Sequence, residues 1–145
     1  MAWARQLEDA GVHVVYGLVG FKTHAKCVLV VRREGNRMRR YAHIGTGNYN
    51  ATTAAIYEDG GLFTADPDIG RDVGELFNHL TGFTAVDSYR SLVVAPDHLR
   101  GELHRLIGRE ATFGRAGRIV IKANAVVDEE VIQALLPGQP SRRGD

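Results

Sequence analysis

The residues best suited to chemistry in this sequence are a histidine and a lysine that share one short segment, His24 and Lys26. The run that follows them, from Cys27 to Val31, is apolar and rich in β-branched residues, which predicts a buried strand. Side chains at positions i and i+2 of a strand point to the same face, so we expect the imidazole and the ammonium to share one space. A nucleophile beside a cation is the arrangement that transfer of a highly charged phosphoryl group requires.

A glycine-rich turn, Gly45-Thr46-Gly47-Asn48, follows after a basic hairpin. Gly45 and Gly47 would let the backbone approach an anion closely, and the Asn48 amide could orient the imidazole or donate to phosphate oxygens. Such a turn is weak evidence by itself, because glycine and asparagine are ordinary turn residues. A single histidine on an apolar strand is likewise more often a core residue than a nucleophile. The hypothesis of a phosphoryl-transfer site therefore depends on the two motifs together.

Charge is distributed unevenly along the chain, although the formal net charge is only +1. Between positions 22 and 40 the basic residues are opposed by Glu34 alone, and they are Lys22, Lys26, Arg32, Arg33, Arg37, Arg39 and Arg40. The stretch from Tyr41 to Asp87 is acidic instead. A basic cluster suits a polyanion such as polyphosphate, a nucleotide or a nucleic acid. The alternative interpretation is that the hairpin arginines only solvate an exposed turn.

The composition indicates a globular protein, since 44% of its 145 residues are hydrophobic and 24% are charged. No apolar run approaches the ~18 residues that a membrane-spanning helix needs, and the first residues do not have the pattern of a signal peptide. The single cysteine, Cys27, cannot form an internal disulfide. This cysteine usage favours a reducing cytoplasm.

Periodicity, caps and turn residues predict the order of the helices and strands. We expect a helix over 1–10 that ends at Gly11, strands over 13–18, 23–32 and 37–44 with a turn at 34–36, a short helix over 51–57, a strand over 62–65, and a helix capped by Asp66 that runs to about 81. A second unit is predicted as a strand over 92–95, a helix from Asp97 to 111, a strand over 118–123 and a helix from Asp128 to 136. This β-α-β-α order predicts a parallel pair of strands.

The spacing of His24-x-Lys26 and the later Gly-Thr-Gly-Asn turn resembles the HKD half-motif of the phospholipase D superfamily. The segments 21–26, 40–50 and 62–67 more specifically resemble the C-terminal half of a bacterial polyphosphate kinase, and the resemblance extends from about Arg5 to about Leu136. It implies an α/β fold, namely a phospholipase-D-like mixed sheet flanked by helices, followed by the start of a second similar α/β domain. The corresponding domains would be 1–88, the back half of the first, and 89–136, a truncated second, with 137–145 as a disordered tail.

The resemblance also implies an activity: reversible transfer of the terminal phosphate of ATP to inorganic polyphosphate through a phosphohistidine. His24 would be the nucleophile, Lys26 and Asn48 would assist catalysis, and Gly45 and Gly47 would help to bind the nucleotide. The resemblance further implies that Tyr57 contacts ATP. His43, on the strand that leads into the glycine turn, is expected to support the site rather than react.

Further expectations concern the cofactor, the partners and the location. Mg²⁺ is expected with ATP, and its ligands would lie outside this chain, so no residue is assigned to a metal. ATP or ADP and inorganic polyphosphate are the expected partners, with a homo-oligomer in the full-length family, no nucleic acid and no transmembrane segment. We expect a cytoplasmic location, with peripheral attachment to a membrane left open.

One departure from the superfamily pattern bears on the alternatives. The half-motif places an aspartate five residues after the lysine, where this chain has Val31. That aspartate supports phosphodiester hydrolysis, so Val31 counts against the runner-up function, a phospholipase-D-like phosphodiesterase. A third possibility is a non-catalytic remnant that binds polyanions through the basic residues between positions 22 and 40. Because the second domain is incomplete, we expect the chain to be a fragment that does not synthesise polyphosphate by itself.

Overall fold

The computed structural model describes residues 2–18, 20, 22–82, 88–123 and 125–136. The chain divides into two compact units, Met1–Leu92 and Val93–Asp145. The first unit contains helix α1 (Ala2–Asp9), strands β1 (Cys27–Glu34) and β2 (Arg37–Gly45), helix α2 (Ala51–Ala54), strand β3 (Gly61–Thr64) and helix α3 (Pro67–Leu80). The second contains helix α4 (Leu99–Ala111), a 3₁₀ turn (Gly114–Ala116) and helix α5 (Glu129–Leu135).

The sheet of the first unit has three antiparallel strands in the order β1-β2-β3. The tight turn between β1 and β2 confirms the predicted hairpin, and it pairs Glu34 with Arg37. Gly35 has a φ of +60° in this turn, a left-handed conformation that glycine adopts without a steric penalty. The described residues contain no parallel pair of strands, so the sheet is antiparallel over this part of the chain rather than mixed.

Helix α3 packs on one face of the sheet and forms the core of the first unit. Val73 of the helix is fully buried and Ala42 of β2 is 4% exposed. The contact depends on small residues, because a methyl group placed on Gly70 would come within 2.9 Å of Arg40 Cβ. The helix begins as the sequence predicts, since the Asp66 carboxylate accepts hydrogen bonds from the backbone of Asp68 and Ile69 at 2.9 and 3.0 Å.

A buried carboxylate in α3 holds the segment that follows the helix. Asp72, only 2% exposed, accepts hydrogen bonds from the backbone N–H groups of Ser91 and Leu92 at 2.6 and 3.0 Å. Burial works to raise the pKa of Asp72, but backbone hydrogen bonds from Ser91, Leu92 and Arg90 outweigh it, so this pKa lies below its ordinary value. On the helix surface, Arg90 pairs with Asp68 at 2.6 Å.

In the second unit α4 and α5 pack together around Ile107 and Val131, which are 9% and 4% exposed. The Asp128 carboxylate caps α5 as predicted by accepting from the backbone of Glu130 and Val131. Arg100 of α4 donates to the same carboxylate at 2.8 Å and thereby links the two helices.

Several predicted boundaries are wrong. Residues 13–18, 92–95 and 118–123 form no strand, and the parallel pair expected in the second unit is not present in the described residues. These segments carry β-branched residues, but a strand also needs a neighbour for its backbone hydrogen bonds, and propensity alone does not provide one. Helix α4 begins one residue later than predicted, at Leu99, with His98 rather than Asp97 at the N-cap.

Two expectations remain open. The predicted domains 1–88 and 89–136 stay a prediction. The disordered tail that we expected over 137–145 lies entirely outside the described residues. In the part of the chain that the structure describes, no helix combines the length and the apolar character required to cross a membrane.

Candidate active site

Three strand ends lie side by side at one end of the sheet, which we call the glycine end. It comprises the start of β1 at Cys27, the end of β2 at Gly45 and the start of β3 at Gly61, together with the residues adjoining them. Gly45 pairs with Gly61, and the Gly45 N–H donates to the Lys26 carbonyl at 2.8 Å. The backbone of Lys26, two residues after His24, therefore adjoins the start of the Gly45–Asn50 turn.

The positions of His24 and Lys26 differ from the predicted ones in one respect. Strand β1 begins at Cys27, so both residues precede the strand, and the argument that they share one face of it is wrong. The physical reason is the length of the partner strand, because β2 ends at Gly45, whose bond to the Lys26 carbonyl is the last one of the ladder. His24 is exposed and Lys26 is half-buried. The lysine is thus held at the glycine end by its backbone, while the histidine stands in the extended segment leading to it.

The two glycines of the turn lie against side chains of the protein itself. A methyl group on Gly45 would come within 3.1 Å of the His43 ring, and one on Gly47 would come within 2.2 Å of Asp59 Oδ2. The second distance is far below any van der Waals contact, so Gly47 can be replaced only if the Asp59 carboxylate moves. The glycines are therefore required for close packing of the turn, whatever ligand the turn also approaches.

A ring cluster supports the turn from the face of the sheet. His43 Nδ1 and the Tyr49 hydroxyl lie 2.6 Å apart in a hydrogen bond whose donor depends on the histidine tautomer. The His43 ring also lies 4.2 Å from that of Phe63, centroid to centroid. Burial, and then the negative charge that Cys27 acquires when it ionises, raise the pKa of Tyr49 above its ordinary value. His43 thus contacts the turn rather than standing apart from it.

The remaining residues predicted for the site lie on the segment after the turn. Asn48 is exposed, and its carbonyl accepts from the Asn50 N–H at 2.7 Å. The Asn50 side chain caps α2 through the backbone of Thr52 and Thr53. Tyr57 comes three residues after α2 and is 64% exposed, so its ring is not a core residue of the unit. An exposed phenol ring can stack on a base and hydrogen-bond to it.

The opposite end of the sheet, where the β1–β2 turn lies, is here called the arginine end. At about 3.3 Å per residue, the length of β1 separates it from the glycine end by about 23 Å. Glu34 accepts from Tyr41 at 2.6 Å and from Arg32 Nε at 3.0 Å, and Arg39 lies 3.5 Å away. The hydrogen bond from Tyr41, followed by that from Arg32, lowers the pKa of Glu34. The basic residues that are adjacent in sequence are thus divided in space, and two of the arginines are paired.

The donor groups of the chain bear on where the expected Mg²⁺ could bind. Among the described residues no group of three or more histidine, cysteine, aspartate or glutamate side chains could hold a metal ion. Asp59 therefore belongs to no such group in this part of the chain.

Sequence reasoning missed a second set of residues at the glycine end. Thr46 Oγ1 donates to Asp59 Oδ1 at 2.9 Å and accepts from the Gly60 N–H at 3.0 Å, while the Thr46 N–H donates to the Gly60 carbonyl at 3.0 Å. The threonine between two glycines was visible in the sequence as a polar residue in a turn. Its partner Asp59 is distant along the chain, and no local pattern joins the two.

Comparison with known proteins gives one consistent result. Residues 1–86 match the family model described as Polyphosphate kinase C-terminal domain 1. The polyphosphate kinase of Mycolicibacterium gilvum (strain PYR-GCK) is 61% identical over 136 residues, which cover 92% of this chain and 19% of that protein. The polyphosphate kinase of Mycobacterium tuberculosis (strain ATCC 25618 / H37Rv) is 58% identical over 142 residues, again covering 19% of its length.

The fold has a counterpart among solved structures. The crystal structure of polyphosphate kinase from Porphyromonas gingivalis matches with a TM-score of 0.75 at 33% identity, over 92% of this chain and 23% of that one. The chain spans about a fifth of the length of the curated relatives that it matches.

Proposed function

The chain belongs to the polyphosphate kinase family, and we propose that it contributes the phosphate-accepting histidine of an ATP–polyphosphate phosphotransferase. The observation that carries this proposal is the backbone bond between Gly45 N–H and the Lys26 carbonyl at 2.8 Å. That bond brings the His24–Lys26 segment to the end of the sheet from which the Gly45–Asn50 turn emerges. A nucleophile, a cation and an amide-bearing turn at one end of the sheet form a set suited to phosphoryl transfer.

The proposed reaction has two displacements at phosphorus. A ring nitrogen of His24 attacks the γ-phosphorus of ATP, the bond from that phosphorus to the bridging oxygen breaks, and ADP leaves. A terminal oxygen of inorganic polyphosphate then attacks the phosphohistidine, the N–P bond breaks, and the imidazole is regenerated with the chain one phosphate longer. Each step is reversible, since the bonds broken and formed are similar in kind. Lys26 offsets negative charge on the transferred group, and the exposed ring of Tyr57 binds the adenine.

The setting of the reaction forms part of the same proposal. The first unit corresponds to the back half of a phospholipase-D-like catalytic domain, and Val31 at the position of the superfamily aspartate favours kinase over phosphodiesterase chemistry. Mg²⁺ bound to the nucleotide would screen the charge of its phosphates. ATP or ADP and polyphosphate are the partners, and the protein is an oligomer. Its location is cytoplasmic, which the free thiol of Cys27 supports.

The test uses a chimera in which this chain replaces the segment that it matches in the Mycolicibacterium gilvum polyphosphate kinase. Incubation with ATP labelled at the γ-phosphate should give a protein label that is labile to acid and stable to base. We expect His24→Ala to abolish this label, whereas His13→Ala, a change of an exposed histidine outside the glycine end, should retain it. A label that persists in His24→Ala would exclude His24 as the nucleophile.

A further inference from the structure

We propose that Asp59 is a positioning residue that fastens the Gly45–Asn50 turn to the segment carrying Tyr57, through a clamp formed by Thr46, Asp59 and Gly60. The inference rests on the proposed function, because it concerns how the phosphate side and the nucleotide side of that site are held together. Asp59 lies in an exposed loop outside every helix and strand, and neither the family resemblance nor the site hypothesis assigned it a role.

The clamp has four hydrogen bonds between two chain segments, and the longest, from the Thr46 hydroxyl to the Gly60 carbonyl at 3.4 Å, shares its proton with the bond to Asp59. The Thr46 hydroxyl donates to Asp59 Oδ1 at 2.9 Å and accepts from the Gly60 N–H at 3.0 Å. The Thr46 N–H donates in turn to the Gly60 carbonyl at 3.0 Å. Donor and acceptor capacities of the hydroxyl are thus both used, which fixes the threonine rotamer and the distance between the segments.

Packing reinforces the hydrogen bonds on the other carboxylate oxygen. The position that a side chain of Gly47 would occupy lies 2.2 Å from Asp59 Oδ2, so the carboxylate lies directly against the backbone of the turn. Asn48 follows Gly47 immediately, and Tyr57 precedes Asp59 by two positions. A shift of the carboxylate would therefore be transmitted to Asn48 and to Tyr57, two of the residues assigned to the site.

The charge of Asp59 makes an alternative role worth excluding. A carboxylate beside a turn that binds phosphates would repel them, unless its charge is taken up by hydrogen bonds or by a cation. In this structure Oδ1 accepts a hydrogen bond from the Thr46 hydroxyl at 2.9 Å, which takes up part of the charge of the carboxylate. This hydrogen bond is the observation that favours a positioning role for Asp59, and the Mg²⁺ dependence of its variants tests the alternative.

The first experiment measures the clamp without any catalysis. Amide hydrogen exchange of Gly60 is recorded by NMR in the complete 145-residue chain and in variants. Thr46→Val removes the acceptor for the Gly60 N–H, and we expect its exchange to accelerate about fivefold. Asp59→Ala should have a similar effect because the threonine rotamer is released, while Asp59→Asn, which keeps an oxygen acceptor for Thr46, should stay within about twofold of the wild type. Unchanged exchange in Thr46→Val and Asp59→Ala would overturn the clamp.

The second experiment measures its consequence in the chimera, by single-turnover labelling of His24 at varied ATP concentration. A displacement of about 1 Å can cost a hundredfold in rate. We therefore expect Thr46→Val and Asp59→Ala, which loosen the clamp in part, each to lower the labelling rate constant about tenfold. ATP affinity should fall as well, because the Tyr57 segment moves with the turn. This joint effect distinguishes the clamp from a residue that acts only on binding or only on the chemical step.

A double variant and a control decide between the interpretations. If Thr46 and Asp59 act as one unit, Thr46→Val with Asp59→Ala should cost no more than either change alone, and Asp9→Ala, an exposed carboxylate at the end of α1, should change neither quantity. Costs that multiply would overturn the proposal, as would a raised Mg²⁺ requirement in Asp59→Asn, which would make Asp59 a metal ligand. A wild-type chimera that takes no label contradicts the proposed function, whereas the exchange measurement still decides the clamp.

Discussion

The glycine end and the arginine end of the sheet are built from the same two strands but differ in what their polar groups do. At the arginine end, Glu34 takes up two guanidinium groups and the Tyr41 hydroxyl, so charges of opposite sign satisfy one another. At the glycine end, the backbone of Lys26 adjoins a turn in which Gly47 packs against Asp59. The sequence had suggested one basic cluster from position 22 to 40. Residues that are near one another in the sequence of a hairpin lie far apart in space when they stand at opposite ends of its strands.

The largest difference between the two ends should appear when one cation is removed from each. Lys26→Ala in the chimera should lower kcat about a hundredfold with little change in KM for ATP, because a charge that acts on the transition state is lost. Arg39→Ala at the arginine end should leave kcat within about twofold, since its charge faces Glu34. Steady-state kinetics with ATP and polyphosphate measure both. A change confined to KM in Lys26→Ala would reduce it to a binding residue and weaken the contrast between the ends.

Two tyrosines allow a similar comparison for nucleotide binding. Tyr57→Ala should weaken ADP binding about tenfold, in line with the loss of one base–aromatic stack, and should slow the polyphosphate-consuming direction through that loss. Tyr41→Phe, which removes only a hydroxyl that donates to Glu34, should bind ADP normally. Calorimetric titration of the chimera with ADP gives both dissociation constants. Equal affinities for wild type and Tyr57→Ala would remove this residue from the site.

Helix α3 lies beneath the sheet, so its stability should affect both ends equally. Asp72→Ala leaves the backbone N–H groups of Ser91 and Leu92 without the part-buried acceptor that they share, and it should cost about 1–3 kcal/mol of unfolding free energy. Because the folded pKa of Asp72 is lowered, this contribution is complete above the ordinary aspartate pKa of 3.8 and is lost as the pH falls through the lowered value. Denaturant unfolding of both proteins at several pH values provides the measurement. A difference that grows on acidification would contradict the assigned sign.

The smallest effect should be found at the tip of the hairpin. Gly35 has a φ of +60°, and Gly35→Ala should cost about 1 kcal/mol because an L-residue is strained there. A methyl group at this position would have nothing within 4 Å, so no packing cost is added. The labelling rate of His24 in the chimera should stay unchanged. A loss of labelling in Gly35→Ala larger than its loss of stability would mean that the two ends of the sheet are coupled.

Local signals in the sequence determined much of the first unit. Asp66 and Asp128 were recognisable as caps, and the structure confirms both, because a cap is an interaction between residues a few positions apart. The β1–β2 hairpin was predictable for the same reason, since Gly35 marks its turn and the apolar run from Cys27 to Val31 marks its first strand. The residues proposed for the site stay predictions in their roles, although the segments that carry them do meet at one end of the sheet.

Pairing across long separations was decided only by the tertiary structure. Residues 13–18 and 118–123 have strand composition but form no strand, because a strand exists only where another backbone accepts its hydrogen bonds. Likewise the Thr46–Asp59 bond, the burial of Asp72 and the division of the basic residues follow from which segments the folded chain brings together. The sequence by itself determined the family, the caps and the hairpin. Contacts between distant segments were beyond it, since their free energy depends on the whole packed chain rather than on a local pattern.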